Sequence, residues 1–81
     1  MSEAARLKAD LQGKKFEKME IETKAQVKLD SLKALLAGSS IRSLGEIDLH
    51  LVSDIAEDLR ALKEKWNAIV LDIEKLKKEL E

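Results

Sequence analysis

Few residues of this 81-residue chain have types and spacing that suggest chemistry. Glu46, His50 and Asp54 are four residues apart, so on a helix they would share one face. A histidine between two carboxylates can hold a metal ion or respond to pH. One imidazole with two carboxylates on a first helical turn is sparse metal spacing, however. The plainer reading is a histidine on a polar face with ordinary helix-pair neighbours. Lys14, Lys15 and Lys18 form a basic cluster of the kind that contacts phosphate, but Glu17, Glu20 and Glu22 lie beside it. That mixture predicts a solvated face of both signs, and Phe16 is the only aromatic at hand to stack on a base. Trp66 is either an anchor for a partner or a residue filling the core, and its place in a regular apolar stripe favours the core. Lys75, Lys77 and Lys78 near the end of a helix complement its dipole and need no further role. Ser39, Ser40 and Ser43 read as loop and cap residues.

No nucleophile is paired with a base, and no Gly-rich phosphate loop or metal motif occurs. The expectation is a protein with no catalytic, cofactor-binding or metal-binding residues, and no enzyme activity. Cysteine is absent, which excludes disulfides and thiolate metal sites. A formal net charge of −1 argues against a general binder of nucleic acid or membrane surfaces. The first forty residues carry eight basic and six acidic side chains, and the remaining forty-one carry seven and ten. This mild asymmetry favours packing one half on the other. The N-terminal residues have no apolar stretch typical of a secretory signal. No apolar run approaches the ~20 residues a membrane helix needs. A cytoplasmic location is expected.

The elements that position these residues are helical. Charged residues make up 38% of the chain, proline is absent and Phe16 and Trp66 are the only aromatics. Such Ala/Glu/Lys/Leu-rich composition is typical of long helices and coiled coils, whereas strands favour aromatic and β-branched residues. The second half is the clearest. Its apolar residues Leu44, Ile47, Leu51, Ile55, Leu59, Leu62, Trp66, Ile69, Ile73, Leu76 and Leu80 recur by threes and fours. From Leu59 the alternation is strict, an a/d heptad seam with Leu59 at a and Leu62 at d. Ser43 and Glu46 fit a capping box, so the spacing predicts a helix over about 44–80. Residues 38–43 form the break: Gly38 can end the preceding helix in a left-handed conformation, and the serines offer caps. A loop this short makes its flanking helices antiparallel neighbours.

In the first half Ala25, Leu29, Leu32 and Leu36 make a helical stripe. Ala5, Ala9, Phe16, Met19 and Val27 extend it with drift. Residues 19–29 also alternate apolar and polar, the period of a strand, and 46–52 do so too. The polar residues there are good helix formers and no turn residue falls between Lys14 and Leu36. The predicted fold is therefore all-α: one domain over 1–81 with a helix over about 2–37, with Gly13 as a place for a kink, a loop over 38–43 and a second helix. Helix–strand–helix is the alternative.

Such a hairpin has too little core to stand alone comfortably. Leu49, Val52, Ala56, Val70 and Leu71 lie beside the seam and widen the apolar face of the second helix. A face wider than one seam contacts two neighbours. The expected answer is a homodimer of hairpins, an antiparallel four-helix bundle. Its packing seam is read as Ile55, Leu59, Leu62, Trp66, Ile69, Ile73, Leu76 and Leu80 from the second helix, with Leu29, Leu32 and Leu36 from the first. Asp58, Lys65, Asp72 and Glu79 at g, with Lys63 and Lys77 at e, are placed to set orientation.

Function is then expected to be association: a small protein–protein interaction module acting as adaptor, inhibitor or assembly factor. In outline the dimeric helical hairpin resembles the plasmid copy-control Rop family. That resemblance implies a dimeric regulator associated with nucleic acid. It also looks like small accessory or structural coiled-coil proteins of bacteriophages. Neither likeness is carried by a motif at particular residues.

Overall fold

A computed structural model describes residues 2–37 and 41–81, and the side chains of 41–43 are outside that description. Gly38, Ser39, Ser40 and the Ser43 side chain, read above as cap and loop, therefore lie outside the described residues.

Two long helices dominate. Helix α1 spans Glu3–Leu36. The side chain of Ser2 caps it by accepting from the Ala5 N–H at 3.2 Å, which satisfies one of the free amides of the first turn. The helix passes through Gly13 without interruption. It also passes through 19–29, where the alternating pattern offered a strand. Two local bonds, one from within this stretch and one from just past it, reconcile polar hydroxyl residues with a helix. The Thr23 hydroxyl donates to the Met19 carbonyl at 2.9 Å. The Ser31 hydroxyl does the same to Val27 at 3.1 Å. Both hydroxyls are thus bonded back to the carbonyl one turn earlier instead of competing for a non-helical backbone.

A 3-10 turn covers Ile41–Glu46, and helix α2 spans Leu49–Leu80. The expected start of α2 near Leu44, through a Ser43–Glu46 box, is corrected. The cap is Asp48, whose carboxylate accepts from the Leu51 N–H at 3.0 Å. Gly45 is a poor residue for a helix interior, and the tighter turn ends just past it.

The helices lie antiparallel along a rod of 63 × 16 × 15 Å. In α1 only Leu7, Leu11, Lys14, Lys18, Ile21, Ala25, Lys28, Leu32 and Leu35 are shielded, a strict 4-3 alternation, and every other position is exposed. In α2 the inward row is Val52, Ile55, Leu59, Leu62, Trp66, Ile69, Ile73, Leu76 and Leu80, in 3-4 alternation. Both rows follow a heptad, which keeps one stripe of each helix turned to its neighbour along the whole length. The register sets Leu7 beside Leu80 and Ile21 beside Trp66, and the same count brings Leu35 level with Val52.

The core is thin. Among the described residues only Ile55 and Ile73 are buried, at 6% and 7% exposure. No helix is long and apolar enough to cross a membrane among the described residues.

Candidate interaction surface

The two inward rows differ in chemistry, and that difference creates the surface. The row of α2 is apolar throughout. In α1, Lys14, Lys18 and Lys28 occupy three of the inward positions. A lysine can lie along such a seam because its methylene stem packs against apolar neighbours while its ammonium reaches the edge.

The three ammonium groups leave the seam in different ways. Lys14 reaches Asp72 on α2 at 3.6 Å and Glu17 at 3.7 Å. Lys28 reaches Asp58 at 2.9 Å. Lys18 pairs with Glu22 at 3.8 Å and sits 5.7 Å from the centre of the Trp66 ring. Trp66 completes this group by donating its Nε1–H to the same Glu22 carboxylate at 3.2 Å. A cation over an indole face is attracted by the ring quadrupole. All of these groups are partly solvated, so each pair contributes little to stability. Their effect is to favour one alignment of the helices.

Asp58 and Asp72 both occupy g positions of α2, so Lys14 and Lys28 fasten the same long side of the hairpin. A groove on that side is lined by Val27, Lys28, Asp58, Ala61, Leu62 and Lys65. Charges rim it. The opposite long side carries a groove lined by Ile21, Ala25, Leu29, Leu59, Leu62 and Trp66. Heptad spacing extends its apolar character from the residues on its rim. Gln26 leads back to Met19, Leu29 leads on to Leu36, and Lys63 leads to Ala56, Leu49 and Val70. Met19, Leu36 and Leu49 are 62%, 44% and 61% exposed. Among the described residues no inter-helix ion pair crosses this side, the open side of the molecule, although the Trp66–Glu22 hydrogen bond does.

The residues expected in a packing seam divide accordingly. Ile55, Leu59, Leu62, Trp66, Ile69, Ile73, Leu76, Leu80 and Leu32 all face the other helix of the same chain. Leu29 and Leu36 stand one position aside, on the open flank, and Leu35 takes the inward place next to Leu36. Phe16, Met19 and Val27, read as extending the α1 stripe, lie off the inward row with exposures of 60–62%. The lysine cluster is corrected as well: Lys14 and Lys18 belong to the seam and only Lys15 is exposed, so it does not form one solvated face. An unbroken 4-3 count from Leu7 to Leu35 carries that signal in the sequence. Treating every lysine as a surface residue hides it.

His50 is exposed on the first turn of α2. Glu46 belongs to the preceding 3-10 turn, so Glu46, His50 and Asp54 do not share one helical face. Among the described residues no three groups that could ligate a metal come together. The arrangement offers apolar contact and weak ion pairing.

No protein family, curated protein or solved structure matches this chain.

Proposed function

We propose that this chain is a small cytoplasmic, non-enzymatic interaction module that works as a homodimeric helical bundle and offers its outer faces to another protein. One observation carries the reading: the single chain leaves 6435 Å² accessible. A globular monomer of 9.1 kDa exposes about 4,900 Å² on the usual size scaling. The excess is about 1,500 Å², and a standard interface covers ~800 Å² on each partner. Apolar side chains along the open flank make up part of that excess, and water is an unfavourable neighbour for them.

The nucleic-acid reading has less support. The lysine cluster at 14–18 is an indifferent phosphate site, because two of its three members, Lys14 and Lys18, each stand within 4 Å of a carboxylate. A protein-binding module keeps its affinity as salt rises. A nucleic-acid binder loses affinity steeply, and loses it entirely when Lys14, Lys15 and Lys18 are neutralised.

Sedimentation equilibrium over a wide concentration range, with circular dichroism on the same samples, tests the proposal. The expected result is a highly helical dimer whose helicity falls on dilution to monomer. A folded, strongly helical monomer at all concentrations would overturn it.

A further inference from the structure

The dimer proposed above leaves its geometry open, and the following rests on that reading. From the open flank we infer that a second copy of this chain covers it face to face with its long axis reversed, α1 lying over the partner's α1 and α2 over its α2, about a two-fold axis level with Gln26 and Leu29.

Three features select this arrangement. The first is the distribution of apolar residues along the flank. They run from Val70 and Met19 near mid-rod to Leu36 and Leu49 at the turn end. At heptad-equivalent places towards the open end the flank carries Lys8, Lys15 and Lys77. A two-fold axis at the level of Gln26–Leu29 sets Leu36 against Met19 of the partner subunit on α1. The same axis sets Leu49 against Val70 of the partner subunit on α2. One operation thus matches apolar to apolar on both helices.

The second feature is charge. That axis also brings Lys33 level with Glu22 of the partner subunit, an opposite-sign pair, and sets Arg60 level with its own copy, a like-charge pair that Glu57 on the same helix offsets. Running the two hairpins in the same direction would instead gather Lys8, Lys15 and Lys77 with their three copies at one end, where Glu74 and Glu81 offset only part of that charge. Like charges so close favour separation. The antiparallel arrangement leaves Lys8 and Lys77 outside the overlap.

The third feature is area. Overlap about this axis extends about 40 Å along the rod at 1.5 Å per helical residue. With a rod 16 Å wide, the projected footprint is roughly 650 Å² per chain, close to the ~800 Å² of a standard interface partner. The opposite long side has its own apolar groove around Val27, Ala61 and Leu62, but the Lys14–Asp72 and Lys28–Asp58 ion pairs span that side.

The absence of cysteine makes the test direct. A single spin label on R6C, far from the flank, reads the separation of the two open ends in the full-length dimer. The antiparallel arrangement gives about 65 Å, from a 1.5 Å rise over the residues between the two labels. Hairpins running the same way give about 20 Å, two helix spacings. In parallel, Leu36→Glu and Met19→Glu place charge on the open flank, and Val27→Glu places it on the ion-paired side. The expected result is a dimer with the long distance, dissociated at least tenfold more readily by L36E and M19E, and unchanged by V27E. A dimer with the short distance overturns the inference and leaves the reading of the function intact. So does a dimer broken by V27E alone. A folded wild-type monomer overturns both.

Discussion

Helices α1 and α2 present inward rows of the same length and period to each other, yet they contribute different things. The α2 row is wholly apolar and contains both buried residues, Ile55 and Ile73. The α1 row has lysine at Lys14, Lys18 and Lys28. An apolar row attracts any apolar partner in many alignments. A row with charges at fixed places accepts only alignments that bring carboxylates to the same levels, here Asp58 and Asp72. Polar groups at seam positions are known to specify register at a cost in stability. The pair of helices therefore divides attraction from alignment. The lysines also disfavour pairing of two α1 inner rows, which would set cations against cations.

Breaking the attractive half has the largest effect. Ile55→Ala deletes side-chain atoms at the best-packed site and is expected to cost about 2–4 kcal/mol. With two buried residues among those described, that is enough to lower the chain's urea midpoint drastically or to unfold it. Leu51→Ala, at a 42% exposed site, serves as the control and should move the midpoint little. Equal losses from both would mean that Ile55 is not the centre of the packing.

Removing the aligning half sharpens the comparison in the opposite direction. The triple change Lys14→Leu, Lys18→Leu and Lys28→Leu is expected to raise stability by about 1 kcal/mol per site, about half of what burying a whole leucine contributes. Uniqueness should suffer, with broadened NMR resonances and a mixture of associated species. A more stable variant that keeps one sharp spectrum would show that the lysines do not select the register.

The smallest effect is expected from one bridge. A double-mutant cycle on Lys28 and Asp58 should return a coupling of about 0.2–1 kcal/mol that shrinks with added salt, as for other solvated pairs. A coupling that ignores salt would contradict the half-exposed geometry of the pair.

Much of this was legible from residue types. The 3-4 alternation from Ile55 to Leu80 marks α2 because no polar residue interrupts it, and the Gly/Ser run marks the break. The α1 row was less legible. Its stripe read through Leu29 and Leu36 in place of Leu35 because apolar residues occur on several sides of that helix. Leu35 and Leu36 are adjacent and chemically equal, so type cannot say which one faces in. The start of α2 was misplaced because Ser43–Glu46 and Asp48 are both acceptable caps. The choice between them depends on how the chain turns after Gly45.

The sequence by itself determined that the chain is helical, where it breaks and which stripe of α2 is apolar, because these follow from propensity and periodicity within one segment. Only the tertiary structure decided that Lys14, Lys18 and Lys28 lie in the seam, that one long side is fastened by ion pairs and that the other stays open. Those outcomes depend on which residues of the two helices stand level. A lysine's apolar stem and charged tip suit the seam edge and open water equally well until a carboxylate on the neighbouring helix fixes the choice.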